Sequence, residues 1–280
     1  MAAVSTPSHR DEIASGERFE FGANWARFLE VLDDQRIAAA ERSLSDFLGR
    51  ARLDGERFLD IGSGSGLFSL AARRLGADVT SFDYDPRSVA CTAELRRRYF
   101  PDDPRWRVGE GSVLDDAYLA SLGTFDVVYS WGVLHHTGSM WRAIDAAIGR
   151  VRAGGQLFIA LYNDQGWWSR AWLAIKQAYN AGPARRAAVL GAFMPYFVGR
   201  MMVGSALRGE APWAVLRTLR PGRGMSPIHD IYDWLGGLPF EVASPEAVID
   251  AVRARGFALE RLRTVAGAHG CNQFVFRHVP

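Results

Sequence analysis

The side chains that could do chemistry fall in a few short runs of this 280-residue chain. Residues 58–70 read FLDIGSGSGLFSL, in which Asp60 is followed by Gly62, Gly64 and Gly66. Phe58, Leu59 and Ile61 suit a buried strand, and Leu67, Leu70, Ala71 and Leu75 recur at helical spacing, so the glycines mark a strand-to-helix turn. Such a turn lets a ligand approach bare backbone at a helix N-terminus. A dinucleotide fingerprint would place its third glycine at Leu67, with a pyrophosphate beside the Asp60 carboxylate. That charge suits a cationic ligand better, although alone the turn also reads as purely structural.

A second acid, Asp83, closes DVTSFD and is followed by Tyr84; there a carboxylate can accept two hydrogen bonds from a ribose. WRVGEGSVLDDAY places Ser112, Val113 and Leu114 in a loop whose amides and apolar side chains could clasp an adenine. FDVVYS runs into WGVLHHTGSM, so Ser130, Trp131, His135 and His136 leave the sheet at the same edge. SPIHDIYDWLGG reads as a loop bounded by Pro227 and the Gly236-Gly237 pair, with His229 flanked by Asp230 and Asp233. His229 is the favoured general base and His136 the second, with either aspartate able to fix the imidazole tautomer. No HxxxH spacing joins these groups, and no metal site is assigned. FEFGANWARFL holds Phe21, Asn24 and Trp25 in a glycine-hinged segment that could close over a ligand or simply pack on the sheet. Trp25, His135, Tyr162, Asn163, Trp168 and Trp234 complete the candidate substrate contacts.

Strand-like runs at 57–61, 78–83, 105–109, 125–130 and 155–162 position these groups, alternating with helical stretches near 66–75, 86–99, 114–121 and 140–150. The alternation predicts a doubly wound parallel α/β sheet, whose right-handed crossovers put all the strand ends on one edge. A helix is predicted over 33–48, another is capped by Ser244, and ALERLRTVA and CNQFVFRH read as an antiparallel pair. Residues 163–240 are too long for a plain loop and must carry helices, one with Trp168, Trp172, Ile175 and Tyr179 on a face. AAVLGAFMPYFVG, 13 residues with Pro195, is shorter than the ~20 a bilayer span requires. Residues 163–226 hold nine basic and two acidic side chains, a net +7 in a chain of net +2. That excess reads as a solvated face or as a surface for an anionic substrate or membrane.

A composition of 48% hydrophobic and 23% charged residues is that of an ordinary globular protein. A net charge of +2 argues against a general nucleic-acid binder. Lys176 is the single lysine among 33 basic residues, so arginine identity carries little functional weight. Cys91 and Cys271 form no CxxC pair, and with no apolar leader in MAAVSTPSHRDE a cytoplasmic location is expected.

Together these segments resemble the class I S-adenosylmethionine-dependent methyltransferases over about residues 55–165 and 244–278. DIGSGSG is similar to the family's first motif, Asp83 to its ribose-binding acid, GSVLD to its adenine loop and SWGVLHHT to the segment after its fourth strand. The resemblance implies a Rossmann-like seven-stranded sheet with the last strand antiparallel, and S-adenosylmethionine as methyl donor. A cationic cofactor without phosphates tolerates Asp60, and the glycines would let its methionine moiety lie against backbone. The layout looks most like small-molecule enzymes such as the ubiquinone-biosynthesis O-methylases, apart from the long insertion after the fifth strand.

The expected organisation is an N-terminal helical cap (1–54), a cofactor-binding core (55–162 and 241–280) and a helical lid (163–240). The expected acceptor is a small, mainly apolar molecule, methylated at oxygen. N- or C-methylation and a noncatalytic cofactor-binding scaffold are the alternatives. No Asn-Pro-Pro-Tyr-like segment is present, which disfavours nucleic-acid substrates. Peripheral membrane contact through the lid and the oligomeric state stay open.

Overall fold

The computed structural model describes residues 9–209, 211 and 227–279. Strands β1 (Arg57–Ile61), β2 (Asp78–Asp83), β3 (Trp106–Glu110), β4 (Phe125–Trp131), β5 (Val151–Tyr162), β6 (Phe257–Arg263) and β7 (Cys271–His278) form one sheet in the order β3-β2-β1-β4-β5-β7-β6. Neighbours from β3 through β5 pair in parallel, and β7 runs antiparallel to both β5 and β6. β5 starts earlier than its apolar run suggests because Val151 pairs with Phe125 across an irregularity at Phe125/Val127.

Alternation along the strands builds two cores. Phe58, Val127, Tyr129, Phe158 and Val275 face one side of the sheet. Leu59, Val128, Leu157, Ile159, Phe274 and Phe276 face the other. With both faces covered, the strands read as continuous apolar runs. Phe58 is wholly buried, and its truncation to alanine would cost about 3–5 kcal/mol.

The covering helices are α1 (His9–Ala14), α2 (Phe21–Glu30), α3 (Asp34–Leu48), α4 (Leu67–Arg74), α5 (Pro86–Tyr99), α6 (Asp116–Leu122), α7 (Met140–Ile148) and α11 (Pro245–Arg253). Between β5 and α11 lie α8 (Trp167–Asn180), α9 (Pro183–Leu207) and α10 (Pro227–Gly236). Several starts follow from local chemistry. Asp33 caps α3 through the Arg36 amide at 2.8 Å, Asp85 caps α5 through Arg87 at 2.9 Å, and Ser244 caps α11 through Ala247 at 3.3 Å. Pro86 and Pro245 occupy first-turn positions, where no amide donor is needed.

Two expectations are corrected. SPIHDIYDWLGG is not a loop, because Pro227 opens α10 and Ile231, Trp234 and Leu235 bury at helical spacing. The apolar stretch around Pro195 belongs to a 25-residue helix, α9, so length alone does not separate it from a membrane span. What does separate them is its inner face. Phe197 is buried, and Val189, Leu190, Phe193, Met194 and Met201 pack on a third core with Tyr162, Tyr179 and Trp234.

Candidate active site

Strands β1, β2, β4 and β5 end on one edge, and their order reverses between β1 and β4. There a cavity of about 930 Å³ opens, roofed by the N-terminal helices and walled by α9 and α10.

At one end lies the glycine loop. Gly62, Gly64 and Gly66 have φ of 75°, 54° and 80°, in the left-handed region that disfavours side chains. The space beside each is already taken. A Cβ on Gly62 would come within 2.4 Å of Val133, one on Gly64 within 3.0 Å of Trp25 Nε1, and one on Gly66 within 2.8 Å of the Thr92 backbone. The glycines therefore let protein segments close on the loop. Gly62 and Gly64 line the cavity, whereas Gly66 leads into α4 away from it.

Two carboxylates underlie this end. The Gly64 amide donates to Asp83 Oδ2 at 2.9 Å and the Asp85 amide to Oδ1 at 2.9 Å, so each oxygen keeps acceptor capacity for a diol. Burial pushes Asp83 up to about 6 against these backbone bonds. Asp60 is deeper and is pushed up to about 7, again by burial, while the Ser69 hydroxyl donates to it. Ser69 in turn meets Ser81 at 2.7 Å, and Trp106 Nε1 donates to Ser81 at 3.0 Å. Tyr84, Ser112, Val113 and Leu114 continue the lining, with Ser112 Oγ accepting from the Leu114 amide at 3.1 Å.

The other end is aromatic. Trp25, Trp131, His136, Tyr162, Phe197, Asp230, Asp233 and Trp234 line it. His136 Nδ1 lies 2.6 Å from the Pro239 carbonyl, which cannot donate, so Nδ1 carries the proton and Nε2 keeps its lone pair. Burial, reinforced by Lys176, pushes His136 down to about 3, and the ring is neutral at physiological pH. Lys176 is itself wholly buried, donates to the Trp234 carbonyl and sits 4.8–5.4 Å from the ring centres of Phe240, Trp234 and Tyr162. Burial lowers it to about 7 and holds the Asp233 carboxyl well above the usual range.

Four other expected residues stand off the cavity. Ser130 Oγ donates to the Ile61 carbonyl at 3.0 Å and ties β4 to β1. His135 is enclosed against Tyr162 and accepts from the Tyr162 amide at 3.3 Å. Asn163 donates to the Ala268 carbonyl and accepts from Asn272, fixing a turn. Trp168 is 52% exposed and stacks on Trp167. His229 lies on α10, with its side chain outside the described residues. No cluster of three or more metal-binding side chains stands among the described residues.

Sequence reasoning missed the residues that fasten the roof. Arg18 Nη1 donates to the His136 carbonyl at 3.0 Å, and the Gly22 amide donates to Asp85 at 2.7 Å. Asn24, noted only as part of a hinge, donates to Asp233 at 2.8 Å. Asp85, two residues beyond Asp83, had a readable signal as the helix cap before Pro86; Arg18 had none.

A doubly wound sheet with one antiparallel strand and a cleft at its switch point defines a Rossmann-like protein. A family model described as a methyltransferase domain matches residues 32–197, more than half of the chain, and the chain belongs to that family. It is similar to ubiquinone biosynthesis O-methyltransferases from Xanthomonas campestris pv. campestris, 34% identical over 114 residues that cover 41% of this chain and 46% of theirs. The corresponding protein of Xanthomonas oryzae pv. oryzae is 35% identical over 115 residues, covering 40% and 46%. The chain thus matches about half the length of these curated relatives.

In fold it is similar to magnesium protoporphyrin IX methyltransferase from Synechocystis PCC 6803 with bound SAH, at TM-score 0.52 and 11% identity over 91% of this chain and 93% of that one. An O-methyltransferase family protein from Burkholderia thailandensis gives TM-score 0.53 and 16% identity over 97% and 63%. The match places a methyltransferase domain over most of the sheet and its cleft. The free acceptor capacity of Asp83 suits ribose hydroxyls, and the buried acids suit a cation without phosphates.

Proposed function

We propose that this enzyme methylates oxygen on a small, mainly apolar molecule held at the aromatic end of the cavity. In this reading Asp83 holds the ribose, Ser112, Val113 and Leu114 flank the adenine, and Asp60, Gly62 and Gly64 border the methionine moiety. When bound, S-adenosylmethionine supplies an electrophilic methyl group. Residues 1–54 serve as a helical cap and 163–240 as a lid over the core of 55–162 and 241–280. Phe197 of α9 and Trp234 of α10 both reach the cavity, which supports the lid. Wall and roof align the acceptor and exclude water. A cytoplasmic enzyme is the matching location.

The observation that carries the chemistry is His136, on the cavity wall with Nδ1 committed to Pro239 and Nε2 left as an acceptor. Its low basicity is no obstacle. An alcohol or phenol oxygen becomes a strongly acidic oxonium as it gains the methyl group, so a neutral imidazole takes the proton late in the transfer. His136 therefore replaces His229 as the assigned base.

Incubation with methyl-labelled cofactor and a metabolite extract tests the reading. The label should enter a low-mass apolar compound and be released by ether-cleaving acid. Label confined to macromolecules, or resistant to that cleavage, contradicts it.

A further inference from the structure

We propose that the outward face of α8 and α9 docks this protein on an anionic lipid surface. Over its most apolar 18 residues α9 has a mean hydropathy of 1.4, yet only 6% of that window is buried. Tyr196, Val203 and Leu207 stand exposed on it, and the exposed Trp167-Trp168 stack opens α8. An isolated exposed apolar side chain is unremarked on any surface, but two tryptophans, a tyrosine and aliphatic residues on adjoining helices form an amphipathic patch. Tryptophan and tyrosine suit the boundary between headgroups and acyl chains.

Charge selects the occupant. Neither helix contains an aspartate or glutamate, while Arg185 and Arg200 stand exposed on α9. A pair of helices that is apolar outward and carries only basic charges complements a lipid surface bearing negative headgroups, with the arginine stems lying along the apolar face and their heads at the phosphates. α9 is about 37 Å long, enough to cross a bilayer. It lies flat instead, because Phe197, Phe193 and Met194 on its inner face belong to the core that walls the cavity, and Arg200 would sit within the hydrocarbon of a spanning helix. One helix thus has the bilayer on one side and the acceptor cavity on the other, so an apolar acceptor dissolved in lipid has a short path to the site. Docking itself does not depend on methyl transfer.

Flotation of buffer-filled vesicles through a sucrose step gradient tests this without turnover. Vesicles of equal phosphatidylglycerol and phosphatidylcholine should carry the protein upward at low salt, whereas pure phosphatidylcholine vesicles should not. Molar salt should release it. Arg185→Glu/Arg200→Glu should lower the bound fraction at least tenfold at fixed lipid, given about 1 kcal/mol per basic residue near the surface. Trp167→Ser/Trp168→Ser should weaken binding as well, with cofactor affinity in both variants unchanged as the check on folding. Absence of flotation on the anionic vesicles overturns the proposal. So does equal flotation on neutral vesicles, or binding indifferent to these variants. Self-association in sedimentation that the same variants abolish would assign the face to a second copy and equally overturn it.

Discussion

The Gly64 amide donates to the Asp83 carboxylate at 2.9 Å, which joins the turn after β1 to the end of β2. The acid proposed to hold the ribose is thereby oriented by the glycine loop, and the loop is held by the group it helps to position.

Removing that acid should be costly to binding and mild to folding. Asp83→Ala deletes hydrogen bonds to a charged acceptor, each worth roughly 1.5–3 kcal/mol. Calorimetry should show S-adenosylmethionine bound at least tenfold more weakly by a folded variant. Unchanged affinity would remove Asp83 from the ribose site.

Gly62 should be irreplaceable on packing as well as conformational grounds. Its φ of 75° disfavours alanine, and a Cβ would press into Val133. Gly62→Ala should destabilise by about 2–4 kcal/mol in denaturant unfolding. Adding Val133→Ala should recover part of that loss relative to the sum of the single changes. Strict additivity would mean that strain in the backbone is the whole effect.

The buried acids set a pH dependence with a definite sign. Asp60 and Asp83 are raised to about 7 and 6, above the ordinary 3.8, so between pH 4 and 7 the folded state binds more protons than the unfolded chain. Their contribution to the stability of the cofactor-free protein therefore falls as pH rises through that window. A sulfonium favours the ionised acids, so cofactor affinity should increase over the same range with proton release. Calorimetry in buffers of different ionisation enthalpy reads this directly, and Asp60→Asn should reduce the release. Proton uptake on binding at pH 6 would contradict the assignment.

Much of the core was legible because its signals are local. The apolar run before Gly62, the Asp85-Pro86 and Ser244-Pro245 helix starts and the alternation of strands with helices follow from nearest-neighbour chemistry. The aromatic end was less legible because it assembles from distant segments. His135 and His136 are adjacent and chemically identical, yet one packs on Tyr162 while the other reaches the cavity. Only the tertiary position of Pro239 separates their roles. SPIHDIYDWLGG misled because its proline and glycines, ordinary loop markers, are the two ends of a helix. Asn24 and Arg18 act across the fold, and no spacing in the chain announces their partners.

The central claim is that His136 accepts the acceptor's proton at this cavity, and the most direct test is kcat against pH at saturating cofactor for the wild type, His136→Gln and His229→Ala. With His136 depressed to about 3, the wild type should show no loss of rate from an ordinary histidine between pH 8 and 5. His136→Gln should lower kcat by about 10² to 10⁴ with cofactor affinity preserved, and His229→Ala should leave the rate within a few fold. Retention of the parental rate by His136→Gln would contradict the account. An acidic limb near the usual histidine pKa that His229→Ala abolishes would contradict it equally and return the role of base to α10.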